Sequence, residues 1–309
     1  MGLIGETLVS RINNSEFDLA HENAKKIYGI GSGRHGVNDA KKLLENGYDP
    51  LHAGYIFTQN LISEFAECMS ILPEMKAYCE LVGPAEDEYM PSGPPMSPLT
   101  GSYFTCWAFF DARFGPDKET IGTCLLDIIS RTGFLPGMGC AIELMQNSRM
   151  GIYEHLGFKG DNVILQELMT QEKHVCYVPA GYPGKKGQIW LVRVLPPMNE
   201  SFDYGIVFNT PYVLIHETKD NWVGFLQRTL LGERLVVNSY QELMKYGLHS
   251  NYWNEYIFLS YVNNLSSAIF LRGLPDVQGS LPHSKLSRTL NVFEKGRKTL
   301  KTGKKKKRR

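Results

Sequence analysis

The hydrophobic period of this chain changes twice along its length, and that restricts the architectures open to it more than any single motif does. Phe57, Leu61, Phe65, Met69 and Leu72 recur at three- and four-residue spacing, which places them on one stripe of an α-helix. From Asn162 the period falls to two. The stretches Val163–Leu168, His174–Val178, Gln188–Leu195 and Tyr204–Ile215 are rich in Val, Ile, Tyr and Trp, with polar or Gly/Pro segments between them. Helical spacing then returns in Trp222, Phe225, Leu226 and Leu230. Helices, then consecutive strands, then helices predict an α+β fold with a mid-chain antiparallel β-meander. A parallel α/β sheet would need strand and helix to alternate. Pro211 lacks a ladder donor and makes the last strand an edge strand or a bent one.

Local punctuation places further elements. A short helix is expected over Val37 to Glu45, closed by Gly47. Asp49-Pro50 is a helix start, with Asp as cap and Pro in the first turn. Pro73 opens a helix ending near Gly83, and the Pro/Gly/Ser-rich residues 83–102 read as an extended surface loop. The nearly apolar run Tyr103 to Phe110 reads as a buried core strand. Helical pattern resumes at Asp117, with Ile121, Leu125, Ile128 and Ile129 on one face and Gly133 as the stop. The next helix is expected from Cys140 to Leu156, with Gly157 as its C-terminal glycine. Late in the chain, Ser239 and Glu242 form a capping box. Trp253, Ile257, Tyr261, Leu265 and Ile269 mark a last helix, terminated by Gly273 and Pro275.

Charge is segregated. Residues 285–309 hold twelve Lys or Arg and one acid, Glu294, a local charge of +11. The remaining residues hold 21 basic and 31 acidic side chains, a charge of −10. Lys295, Arg297, Lys298, Lys301, Lys304, Lys305, Lys306, Lys307, Arg308 and Arg309 have almost no apolar residue among them to fold around. A disordered basic tail that attracts polyanions is therefore expected, by electrostatics that are independent of base sequence and steeply salt-dependent. The expected organisation is a mainly helical part with one buried strand (1–161), the meander with its C-terminal helices on the same core (162–284), and the tail (285–309).

The whole chain is 43% hydrophobic and 21% charged, so burying a core at this length is no difficulty. No segment approaches the ~18 consecutive apolar residues of a membrane span. The first residues, Met1 to Glu6, lack the basic and apolar regions of a secretory signal. The six cysteines form no C-x-x-C pair, which removes zinc-knuckle and thioredoxin-type motifs and suits free thiols. Together these predict a cytoplasmic protein, or a nuclear one in a eukaryotic host.

Three constellations are candidates for chemistry. Gly31-Ser32-Gly33-Arg34-His35-Gly36 satisfies G-x-G-x-x-G, but Ala24 to Tyr28 makes a poor preceding strand and the following helix is short. What remains is an anion-cradling loop of Gly31, Gly33, Arg34 and Gly36. His174 and Cys176 stand two apart on one strand and share a face, with Cys140 and His155 on the segment before; a Cys/His site needs an activated thiol, and zinc needs further ligands. Glu86-Asp87-Glu88 is an acidic cluster that reads as a solvated patch. No cofactor or metal motif is present. The functional expectation is a non-enzymatic accessory protein whose tail contacts nucleic acid without sequence preference and whose acidic body meets a protein partner. The alternative is a hydrolase or transferase using the Cys/His set or the glycine loop.

Overall fold

The computed structural model describes residues 2–14, 40–90, 93–133, 137–230, 236–247 and 252–274. The Gly31–Gly36 loop and the whole 285–309 tail lie outside these residues.

Helix α1 (Leu3–Asn13) buries Ile4, Leu8 and Val9 on one face, and side chains far along the chain hold its start. Glu119 Oε2 and Oε1 accept from the Ile4 and Gly5 N–H groups at 3.0 and 2.8 Å, and Asp117 accepts from Leu3 N–H at 2.8 Å. Two carboxylates thus meet the orphan amides at the positive end of the helix. Helix α2 (Ala40–Glu45) is followed by α3 (Pro50–Met69), whose cap is the expected Asp49, accepting from His52 N–H at 3.0 Å. A 3₁₀ turn (Pro73–Met75) leads into α4 (Lys76–Tyr89). This helix runs through Gly83-Pro84 instead of ending there, so Glu86-Asp87-Glu88 lie on its last turns and not on a loop.

The expected core strand over 103–110 is overturned. Helix α5 (Gly101–Cys106) continues into a π-helical segment, Trp107–Asp111. Tyr103, Phe104, Trp107, Phe109 and Phe110 are all buried. A run buried on every side carries no period, so sequence cannot separate strand from helix there. Helix α6 (Ile121–Thr132) lies where expected, with Thr120 and Thr123 bonded reciprocally at its start and Gly133 left-handed at its end. Helix α7 (Gly139–Asn147) stops well short of Leu156, and β1 (Met150–Lys159) takes over. Gly157 therefore sits beside a bulge in a strand, not at a helix end.

Strands β2 (Asn162–Glu167), β3 (Lys173–Tyr177) and β4 (Ile189–Leu195) match the period-two stretches. The fourth stretch is broken at Phe208–Pro211 into β5 (Gly205–Val207) and β6 (Tyr212–Ile215). Helices α8 (Lys219–Thr229), α9 (Val236–Tyr246) and α10 (Tyr252–Ser260) follow. Ser239 lies inside α9 and does not cap it. The last expected helix also stops early: β7 (Tyr261–Leu265) and β8 (Ala268–Arg272) form a hairpin in place of its second half.

The sheet is mixed, which replaces the expected meander. Its order is β1-β2-β3-β5-β4-β6-β8-β7, with β1 also pairing β4. That pairing closes β1-β2-β3-β5-β4 into a five-stranded barrel, in which β3 and β5 run parallel. Ten-residue β1 is long enough to pair β2 through its outer half and β4 through Met150–Glu154. One edge of β4 pairs β6 early and β5 late, so β6 peels away with β8 and β7 as an open wing. Strict alternation sorts the side chains. Tyr153, Leu165, Cys176, Trp190 and Val192 form one buried cluster inside the barrel. Ile152, Ile189, Leu191 and Ile206 face the other way and join a core shared with the helices, which extends from Ile4 to Leu274. Among the described residues no helix is long and apolar enough to cross a membrane.

Candidate functional site

One mouth of the barrel is built from the end of β1, the β1–β2 turn and the loop 178–188 between β3 and β4. The loop is held by backbone pairing with β1: Gly187 N–H donates to the His155 carbonyl, and His155 N–H to the Gln188 carbonyl, each at 2.8 Å. Gln188 then clips the loop to itself, accepting from Lys185 N–H at 2.9 Å and donating to the Tyr182 hydroxyl at 3.1 Å. Gly184 permits the fit, because its φ is +66° and a Cβ there would overlap the Trp190 ring and crowd His155.

Within this frame an aromatic run leads from solvent into the barrel wall. Phe158 is 51% exposed, and its ring centroid lies 5.0 Å from that of His155. His155 in turn meets Trp190 at 5.2 Å, and Trp190 meets Tyr182 at 5.5 Å. Lys159 at the end of β1 and Lys185 and Lys186 on the loop are exposed. Lys159 pairs with Asp203 at 2.9 Å, whereas no carboxylate among the described residues pairs with Lys185 or Lys186. Asp161 is the acidic residue on the β1–β2 turn. A half-exposed ring backed by other rings can stack a planar group, and exposed lysines on the adjoining loop can attract an anion.

None of these residues except His155 was expected from sequence. The signal available was the stretch Gly181-Tyr182-Pro183-Gly184-Lys185-Lys186-Gly187, which combines three turn glycines with two adjacent cations.

Of the Cys/His set, the structure brings three members to the barrel and leaves the fourth apart. His155, Leu165 and His174 are successive cross-strand partners, and Cys176 lies one pair away on the same face. His155 is committed on both nitrogens: Nδ1 accepts from Gly157 N–H and Nε2 donates to the Pro183 carbonyl, both at 3.1 Å. Burial lowers its pKa, and the bond to Pro183 only partly restores it. His174 packs edge-on against Tyr153. Cys176 is fully buried, and burial pushes its thiol up to about 12, the reverse of nucleophile activation. Cys140 is exposed on α7. Among the described residues no group of three or more His, Cys, Asp or Glu could hold a metal ion.

The strongest electrostatics are internal. Arg193 on β4 forms a buried ion pair with Asp111 at the end of the π segment, and Lys245 of α9 reaches the same carboxylate at 3.2 Å. Arg193 also bonds the Ser148 carbonyl at 3.1 Å, and Lys245 bonds it at 2.8 Å. Burial opposes the charge on Arg193, and the neighbouring Asp111 outweighs it, so the guanidinium pKa is raised. For Lys245 burial wins and its pKa is lowered. These bonds tie helices to sheet, although the buried Arg193 Nε–H finds no hydrogen-bond partner among the described residues. Comparisons with protein-family models, curated proteins and solved structures find no match to this chain.

Proposed function

We propose that this protein binds single-stranded nucleic acid without sequence preference, with the mouth of the barrel as a stacking platform and the basic tail as an electrostatic arm. The observation that carries the reading is the half-exposed Phe158 ring backed by His155 and Trp190, with Lys185 and Lys186 exposed on the loop whose backbone pairs with His155. Sequence-tolerant single-strand binders combine these two parts, since every base has a π-face and every nucleotide a phosphate. Five-stranded barrels are also an architecture on which oligonucleotides are bound. That likeness concerns architecture alone, and the side chains at the mouth carry the proposal.

The tail adds reach. Its +11 charge would raise the local concentration of a polyanion and speed encounter, while the −10 of the remaining chain keeps nonspecific wrapping unfavourable. The body is then left to meet a partner of complementary charge. A cytoplasmic or nuclear location fits this role. Catalysis on the Cys/His set finds less support, since Cys176 is held protonated and Cys140 lies apart.

The test is fluorescence anisotropy of a labelled single-stranded oligonucleotide across salt, for the full chain, a Phe158→Ala variant and a chain ending at Leu286. Expected results are a steep salt dependence, a loss of about five- to a hundredfold with Phe158→Ala, and a flatter salt slope on truncation. Equal affinity in all three proteins, or binding that resists salt, would sink the reading.

A further inference from the structure

Phe158 shares a face with His155 only because β1 is bulged between them. Up to His155, β1 pairs with β2 residue for residue, and His155 lies opposite Leu165. The register then slips by one, so that Gly157 lies opposite Ile164 and Phe158 opposite Val163. Val163 and Leu165 both belong to the cluster inside the barrel. Strict alternation would send Phe158 to the other face from His155, three residues back. The extra residue of the bulge brings the two rings onto one face, with their centroids 5.0 Å apart.

The bulge turns at Gly157, whose φ of +130° favours glycine, and His155 itself holds it. His155 Nδ1 accepts from the Gly157 N–H, and Nε2 donates to the Pro183 carbonyl, both at 3.1 Å. One imidazole therefore joins the strand that carries Phe158 to the loop that carries Lys185 and Lys186. Only the neutral ring can make both bonds. In the imidazolium both nitrogens donate, and Nδ1–H would oppose the Gly157 N–H.

The surrounding charges do not favour the protonated ring. On β1, Glu154 alternates to the opposite face and bonds Lys219 at 2.8 Å, and Lys159 pairs with Asp203. On β2, Glu167 bonds Arg149 at 2.5 Å. Arg193 of β4 pairs with Asp111, and Asp161 is exposed on the β1–β2 turn. The charged residues of the loop, Lys185 and Lys186, are cations, and His174 beyond Leu165 would be another. His155 is fully buried, and burial opposes its charge. We propose that His155 is the positioning residue of the nucleic-acid platform: its neutral ring holds Phe158 and the lysine loop in the binding geometry, and its protonation switches binding off. This rests on the reading of the barrel mouth as a single-strand site.

The test is fluorescence anisotropy of labelled oligothymidine, whose bases take up no proton between pH 7.5 and 5. It is read across that range for the full chain, Phe158→Ala and His155→Gln, with circular dichroism at each pH. At pH 7.5 the full chain should bind more tightly than Phe158→Ala. On acidification its affinity should fall, by about tenfold for each pH unit below the titration of His155, because only chains with a neutral ring are competent. Acid should otherwise strengthen binding to a polyanion, since the other histidines gain positive charge. Phe158→Ala keeps the tail and lacks the platform, so it should show that rise or no change. His155→Gln carries a donor and an acceptor that do not titrate, and should lose the fall as well. Affinity of the full chain that holds or rises in acid overturns the proposal. So does a parallel fall in either variant, or a fall that coincides with unfolding. If the full chain and Phe158→Ala bind equally at pH 7.5, the platform reading falls and this proposal with it. A difference at pH 7.5 with no loss in acid removes the role of His155 alone.

Discussion

His155 donates its Nε2–H to the carbonyl of Pro183 at 3.1 Å, and this bond ties the barrel interior to the loop that crosses its mouth. The other ring nitrogen accepts from Gly157 N–H, so a neutral imidazole satisfies both sides and an imidazolium cannot.

That arrangement makes the fold pH-dependent in a definite direction. Burial lowers the folded pKa of His155 below its ordinary 6.5, so near and below that pH the unfolded chain binds more protons than the folded one. The His155 contribution is therefore complete above the unfolded pKa and is lost as pH falls through 6.5 towards the folded value. Melting temperature should fall between pH 7.5 and 5, and fall less in His155→Gln. Burial lowers the pKa of His52 too, so the difference between the two proteins is the readout. Parallel curves would remove His155 as the source.

The Asp111–Arg193–Lys245 cluster predicts an inequality. Asp111→Asn leaves two buried cations facing each other, at a cost of about 3–5 kcal/mol. Arg193→Met leaves the Asp111–Lys245 contact at 3.2 Å, so it should cost less than Asp111→Asn. Urea denaturation of both variants measures the order.

Gly184 and Gly181 both have positive φ, +66° and +75°, but differ in surroundings. A Cβ at 181 meets nothing within 4 Å, so Gly181→Ala should cost only backbone strain, about 1–2 kcal/mol. At 184 overlap with Trp190 adds roughly 1–3 kcal/mol of overpacking to that strain. Equal losses in chemical denaturation would show that the loop yields without disturbing the rings.

Lys185 and Lys186 are exposed, so replacing both with Ala should leave stability unchanged within about 0.5 kcal/mol. The slope of log affinity for single-stranded oligonucleotide against log salt should flatten by about 1.4, two phosphates' worth. An unchanged slope would place the phosphate path elsewhere.

The sequence by itself determined whatever depends on near neighbours. Asp49 before Pro50 starts α3, Gly133 ends α6, and period-two stretches mark β2, β3 and β4. A cap, a left-handed glycine and a half-buried strand each leave their sign within a few residues, because the hydrogen bonds and burial that define them are local. The tertiary structure decided the rest. Residues 101–111 are helical though apolar all round, Met150–Lys159 leaves a helical pattern for the barrel, and Tyr261–Arg272 pairs as a hairpin on β6. In each case propensity was nearly balanced, and burial against distant strands or helices tipped it. The site followed the same rule: His155 and Trp190 become neighbours only because β1 closes onto β4, a pairing that no local pattern encodes.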